Sequence, residues 1–253
     1  MPVFSNDGFQ LAYVEESGGE PVLLLHGFAS SAKVNWINPG WMKTLREAGY
    51  RAIAFDHRGH GQSTKSYEPA DYTPSNMARD AVACLDHLGI ARAHVFGYSM
   101  GARVAAYMAL DHPERVATLI FGGLGLGMVE GVGDWDPIAD ALVAPDPAKI
   151  EHPRGKMFRA FADQTKSDRR ALAACITTSR QELTREQVGR IAQPTLVAVG
   201  SKDEIGGPAA PLAELMPNAE AFEIPGRDHM LSVGDRAFKA RALEFLKAHP
   251  LSG

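Results

Sequence analysis

Short apolar runs with no polar alternation recur along the chain, at 22–25, 52–55, 93–96, 116–121, 195–199 and, more weakly, 221–224. Continuous apolarity of this length marks strands covered on both faces. Between most of them the pattern changes to a helical period, at 41–48, 74–88, 100–110, 208–216 and 234–248. Strands alternating with helices predict an α/β fold, a mostly parallel sheet with helices on both faces. One earlier β-type run, 11–14, is separated from 22–25 by the turn cluster Ser17-Gly18-Gly19-Glu20, and the two are expected to pair as a hairpin at the sheet edge.

The rhythm breaks over 122–190. Gly131, Asp134, Asp136, Pro137, Pro145 and Pro147 crowd its first part, helical patterning returns at 156–163 and 167–179, and no strand pattern occurs. The segment follows a strand end, where ligands approach an open parallel sheet, so it is expected to form a small helical cap over a site. The expected organisation is one core, 1–121 with 191–253, and a cap at 122–190. A chain of 253 residues is long enough for such a core without a second unit.

Composition narrows the partners. With 26 basic and 30 acidic residues the net charge is -4, which gives no electrostatic footprint for nucleic acid or anionic lipid. No stretch approaches about 18 uninterrupted apolar residues, and 1–9 lacks a basic region followed by an apolar one, so a cytoplasmic protein without membrane contact is expected. Cys84 and Cys175 lie in apolar helical stretches and read as buried free thiols. His57 and His60 stand beside Asp56, but no cysteine or second carboxylate sits at ligand spacing, so no metal is expected. Gly122, Gly123, Gly125 and Gly127 follow a strand without the spacing or the following helix of a dinucleotide loop, and no cofactor is expected.

Candidate chemistry centres on Ser99, in Gly97-Tyr98-Ser99-Met100-Gly101, directly after the run 93–96 and directly before a helical run. A serine hydroxyl is a weak nucleophile and must be presented at a sharp turn where a base can reach it. Glycines at 97 and 101 suit the close backbone crossing. Ala102, Ala105, Ala106 and Ala109 then form a narrow small-residue stripe that lets the helix lie close to a sheet. A serine nucleophile needs a base, and the base an acceptor that holds its tautomer; a candidate carboxylate and a candidate histidine follow later strands, Asp203 after 195–199 and His229 after 221–224. Asp228 is the alternative acid, but neighbouring side chains on an extended loop point apart. Glu204, Asp134 and Asp136 are further alternatives. His26 reads as a scaffold histidine at a strand end, His112 as a helix end, and Tyr98 as core or pocket wall.

The order Ser, Asp, His, with a glycine-bounded serine and His26-Gly27-Phe28 closing the run 22–25, resembles the α/β-hydrolase superfamily. The resemblance covers about 9–121 and 192–248 and leaves out the insertion. It implies Ser99 as nucleophile, His229 as general base, Asp203 as orienting acid, and the backbone N–H groups of Phe28 and Met100 as the oxyanion hole. The turn Asp56-His57-Arg58-Gly59-His60-Gly61-Gln62-Ser63 is similar to a family turn whose role is mainly structural. The chain departs from many relatives in having Ala102 where they carry a second glycine. Epoxide hydrolases and haloalkane dehalogenases of this fold have aspartate where this chain has Ser99.

The resemblance implies a serine hydrolase acting on a small, mainly apolar carboxylic ester through an acyl-enzyme. Lactone opening and C–C bond hydrolysis use the same triad, and a non-catalytic ligand-binding protein on the same fold is a further reading. Candidate pocket residues are Trp36, Leu124, Trp135, Phe158, Phe161, Ile205 and Met230, each equally explicable as core.

Overall fold

The computed structural model describes residues 1–131 and 133–251; Val132, inside the insertion, and Ser252 and Gly253 lie outside the described residues. Eight strands form one sheet: β1 (Val3–Asn6), β2 (Phe9–Glu16), β3 (Pro21–Leu25), β4 (Arg51–Phe55), β5 (Ala93–Tyr98), β6 (Val116–Gly122), β7 (Thr195–Gly200) and β8 (Ala219–Ile224). Their spatial order is β1-β2-β4-β3-β5-β6-β7-β8. β1 and β2 run antiparallel to their neighbours, and every pairing from β4 through β3 to β8 is parallel.

The hairpin expected between 11–14 and 22–25 does not form. β2 pairs antiparallel with β4, and β3 lies between β4 and β5. The hairpin of this edge joins β1 to β2 through Asp7-Gly8, both at positive φ (48° and 81°), the two-residue turn whose twist matches that of the strands. The cluster Ser17 to Glu20 serves instead as the crossing from the edge to the sheet centre.

The unbroken apolar runs of β3 and β4 are shared between two cores by alternation. Leu23 and Leu25 of β3, with Ile53 and Phe55 of β4, face one core; Val22, Leu24, Ala52 and Ala54 face the other. The first is closed by α2 (Pro74–His87) and α3 (Met100–Asp111), the second by α1 (Trp41–Glu47) and the C-terminal helix Arg236–Ala248. Each fully buried leucine of β3 contributes about 1.5–3 kcal/mol relative to exposure. All four alanines of the α3 stripe are buried, which seats this helix close to the sheet.

Between β6 and β7 the chain is helical, with α4 (Gly127–Glu130), α5 (Asp136–Val143), α6 (Pro153–Gln164), α7 (Arg169–Thr178) and α8 (Arg185–Gly189), and no strand among the described residues. α5 starts where glycine, proline and aspartate crowd the sequence, because Pro137 falls in its first turn, where a missing N–H costs nothing. After β7 come α9 (Ala209–Ala213), α10 (His229–Ser232) and α11 (Arg236–Ala248). α9 and α11 are shorter than the helical patterns at 208–216 and 234–248. The Asp235 carboxylate caps α11 by accepting from the Ala237 and Phe238 N–H groups, so the helix begins after it. No helix among the described residues is long and apolar enough to cross a membrane.

Candidate active site

Parallel strands bring their carboxyl ends to one rim, and there Ser99 (after β5), Asp203 (after β7) and His229 (after β8) meet. His229 Nδ1 lies 2.7 Å from Asp203 Oδ2, and His229 Nε2 lies 3.1 Å from Ser99 Oγ. The carboxylate only accepts, so Nδ1 carries the proton and Nε2 is left to accept from the serine hydroxyl. The Asp203 side chain is fully buried. Its other oxygen accepts from the N–H groups of Ile205 (2.8 Å) and Gly206 (2.9 Å), which fixes the carboxylate plane. Asp228 is turned away from its neighbour's ring. Its carboxylate caps α10 by accepting from the Met230 and Leu231 N–H groups.

Ser99 sits at the strand-to-helix turn with φ 53° and ψ -112°, a conformation rare for a residue with a side chain. The turn is closed so tightly that a Cβ on Gly97 would overlap the Gly101 carbonyl, and one on Gly101 would overlap that of Leu25. The second backbone segment of the site is Gly27-Phe28. Gly27 N–H donates to Asn35 Oδ1 (3.0 Å), and Asn35 is one of the two buried residues, with Trp36, of a π-helical turn at Lys33–Ile37. The N–H groups of Phe28 and Met100 have no protein acceptor among the described residues.

Behind this segment, His26 ties two strand ends together. Its Nδ1–H donates to the Gly27 carbonyl (2.7 Å), and its Nε2 accepts from the His57 N–H (3.0 Å). Burial lowers its pKa to about 4, so the ring is a neutral clamp rather than a second base. Asp56 accepts from the N–H groups of Ala32 and Gln62 (2.8 Å each), and Arg58 forms a buried two-bond pair with Asp80 (2.7 and 2.6 Å). Among the described residues no group of three or more His, Cys, Asp or Glu is arranged to hold a metal ion.

The α/β-hydrolase-fold family model matches residues 20–147, about half of the chain. The chain belongs to the α/β-hydrolase fold family. A dihydrolipoyllysine-residue acetyltransferase component of an acetoin-cleaving system from Pseudomonas putida is 30% identical over 253 residues, covering 92% of this chain and 65% of the relative. The corresponding component from Cupriavidus necator is 38% identical over 133 residues, covering 52% of this chain and 32% of the relative. This α/β-hydrolase chain therefore spans less than two thirds of either relative. A hydrolase from Pseudomonas aeruginosa PA01 superposes with a TM-score of 0.79 at 26% identity, covering 97% of each chain.

In this α/β-hydrolase, a cavity of about 240 Å³ opens beside Ser99 and His229. Its lining includes Phe158 and Phe161 of α6 and Met230, as expected from the sequence, together with Phe28. Four expected pocket residues are absent from it. Trp36 is fully buried in the core beneath, edge-on to Trp41 and Phe96. Leu124 is buried in the core on the other face of the sheet. Ile205 contributes its backbone N–H to Asp203. Trp135 stands one layer back, against Phe158 (6.1 Å between rings). An apolar side chain on a loop carries the same sequence signature whether it faces a core or a cavity.

Three polar lining residues are not among those expected from the sequence: Ser30, just after Gly27-Phe28, Asn35 in the π-helical turn Lys33–Ile37, and Arg180, just after α7. Tyr98 lines the cavity and donates its hydroxyl to the His229 backbone carbonyl (2.5 Å).

Proposed function

We propose that this protein is a serine hydrolase that cleaves a small, mainly apolar carboxylic ester through an acyl-enzyme intermediate. The observation that carries the reading is the continuous line from Asp203 Oδ2 through the His229 imidazole to Ser99 Oγ, with both links within hydrogen-bond distance. In this mechanism Ser99 Oγ attacks the ester carbonyl carbon while His229 Nε2 takes its proton. Asp203 holds the tautomer and stabilises the imidazolium. The carbonyl oxygen becomes an oxyanion held by the Phe28 and Met100 N–H groups, where each such donor is worth about 2.7–4 kcal/mol of barrier. His229 returns the proton to the departing alkoxide. Water then repeats the cycle on the acyl-enzyme and releases the acid.

The cavity supports a small substrate, and its Phe28, Phe158, Phe161 and Met230 side chains support an apolar one. The segment 122–190 acts as a cap, contributing α6 to the cavity wall over the core of 1–121 and 191–253. We assign the activity to the cytoplasm, where buried unpaired thiols such as Cys84 and Cys175 are ordinary. Lactone opening and C–C bond hydrolysis would run through the same three side chains.

Labelling with a fluorophosphonate tests the reading. The probe is expected on Ser99, and Ser99→Ala is expected to abolish both labelling and turnover across a chromogenic ester panel graded by acyl length. An unlabelled and inert wild-type protein would overturn the proposal. Faster turnover of lactones or of vinylogous diketones than of every ester would move it to those substrates.

A further inference from the structure

Arg180 follows α7 and lines the same cavity as Ser99 and His229, yet no Asp or Glu is among the lining residues. Its guanidinium carbon stands 3.7 Å from the centre of the Trp135 ring and 5.4 Å from that of Phe28. Among the described residues it has no ion pair and no hydrogen bond, and its Nε is fully buried without a partner. The buried arginines Arg58, Arg103 and Arg159 are provided for differently. Arg58 pairs with Asp80, Arg159 with Asp163 and two carbonyls, and Arg103 donates to three backbone carbonyls through its two terminal nitrogens, its Nε alone lacking a partner. Burial and the charges of Arg103 and Arg154 lower the Arg180 pKa to about 9, which leaves it cationic at neutral pH.

A planar cation packed against two aromatic rings, with its donors unused and a chamber lined mainly by apolar side chains before it, is a site for a planar anion. Aromatic stacking fixes the fork without consuming its N–H groups, so a carboxylate entering the cavity meets prepositioned donors. We propose that the substrate carries a carboxylate remote from its scissile ester, and that Arg180 binds it. The inference rests on the hydrolase reading above and narrows its substrate to the half-ester of a dicarboxylic acid, with an apolar spacer between the two ends. Phe28 links the two ends of such a molecule, because its ring lies under Arg180 while its N–H faces the proposed oxyanion.

Monoethyl succinate, glutarate and adipate, each compared with its neutral diethyl ester, test the assignment. The expected result is a preference of about tenfold to a hundredfold in kcat/KM for the half-ester at one spacer length, the range for a hydrogen-bonded charge. That preference ratio should collapse toward one in Arg180→Met and be partly retained in Arg180→Lys. A ratio near one in the wild type, or an unchanged ratio in Arg180→Met, would overturn the proposal. A purely propping role for Arg180 would lower both members of each pair together and leave the ratio alone, which is also a refutation. Calorimetric titration of the same half-esters into Ser99→Ala and Ser99→Ala/Arg180→Met protein separates this outcome from failure of the hydrolase reading. Binding weakened at least tenfold by the second substitution supports Arg180 even if nothing is turned over, and equal or absent binding in both overturns it.

Discussion

The Tyr98 hydroxyl donates to the His229 backbone carbonyl across 2.5 Å, so the residue directly before Ser99 holds the first turn of α10, which carries the imidazole. The two rings also pack at 5.6 Å. Nucleophile and base of the proposed relay are thus registered to each other twice, once by side chains and once through this bond. The ring finds room because Gly122 and Gly123 pack bare backbone against it.

Removing that hydroxyl leaves a buried carbonyl unpaired, at a cost of about 1–3 kcal/mol. Tyr98→Phe is expected to lower stability by that amount and kcat by about tenfold, with KM little changed. A variant that loses stability but keeps the wild-type kcat per folded molecule would show that the bond serves folding alone.

Asp203 and Asp228 divide their work by geometry, and substitution should separate them. Asp203→Asn keeps the shape but removes the acceptor that sets the His229 tautomer, and kcat should fall by about 10⁴. Asp228→Ala removes the cap of α10, for about 0.5–2 kcal/mol of stability, and should leave a far larger share of activity. Comparable losses of kcat in both variants would contradict the assignment.

The pair Arg58–Asp80 is nearly solvent-free, with side chains 2% and 0% exposed, and burial raises the Asp80 carboxyl above its usual range although Arg58 pulls it down. Arg58→Met strands that carboxyl beside Asn6 and should cost about 3–5 kcal/mol in denaturant unfolding. Arg58→Met/Asp80→Leu should recover most of the loss. If the single variant unfolds at the wild-type denaturant midpoint, the pair is not what braces the turn after β4.

What could be read from residue order follows from how specific each demand is. Nucleophilic chemistry needs one residue type at a strand end, so the meeting of Ser99, Asp203 and His229 is legible before any coordinates. A doubly covered strand needs an unbroken apolar run, so β3 through β7 are legible too. Sheet neighbourhood is not written locally: β2 passes over its sequence neighbour β3 to pair with β4, and the Asp7-Gly8 turn is the only short-range mark of the true hairpin. Side-chain direction is equally hidden. Trp36 and Phe158 are both aromatic and buried, and only packing sends one beneath the sheet and the other into the cavity. A charge such as Arg180 reads as solvated until the chain around it is folded.

His26, His57 and His60 form one buried cluster, with the His26 ring 4.5 Å from that of His57 and 5.1 Å from that of His60. Desolvation first, and then mutual repulsion for His57 and His60, lowers all three: His26 to about 4, His60 to about 3 and His57 well below the ordinary value. The unfolded chain protonates these rings near pH 6.5, whereas the folded chain holds them neutral. Below that pH the unfolded state binds more protons, so stability is complete above about pH 6.5 and drains away as pH falls toward about 4 and below. Each ring can steepen the decline by up to about 1.4 kcal/mol per pH unit. His57 has no protein partner on either ring nitrogen among the described residues, so His57→Leu removes one titrating group without breaking a ring hydrogen bond. Urea unfolding at pH 7.5, 6 and 5 should show a shallower fall for His57→Leu than for the wild type, by about one proton's worth of slope. Equal slopes would mean that His57 is not held neutral in the fold, and the acid sensitivity would have to come from the carboxylates.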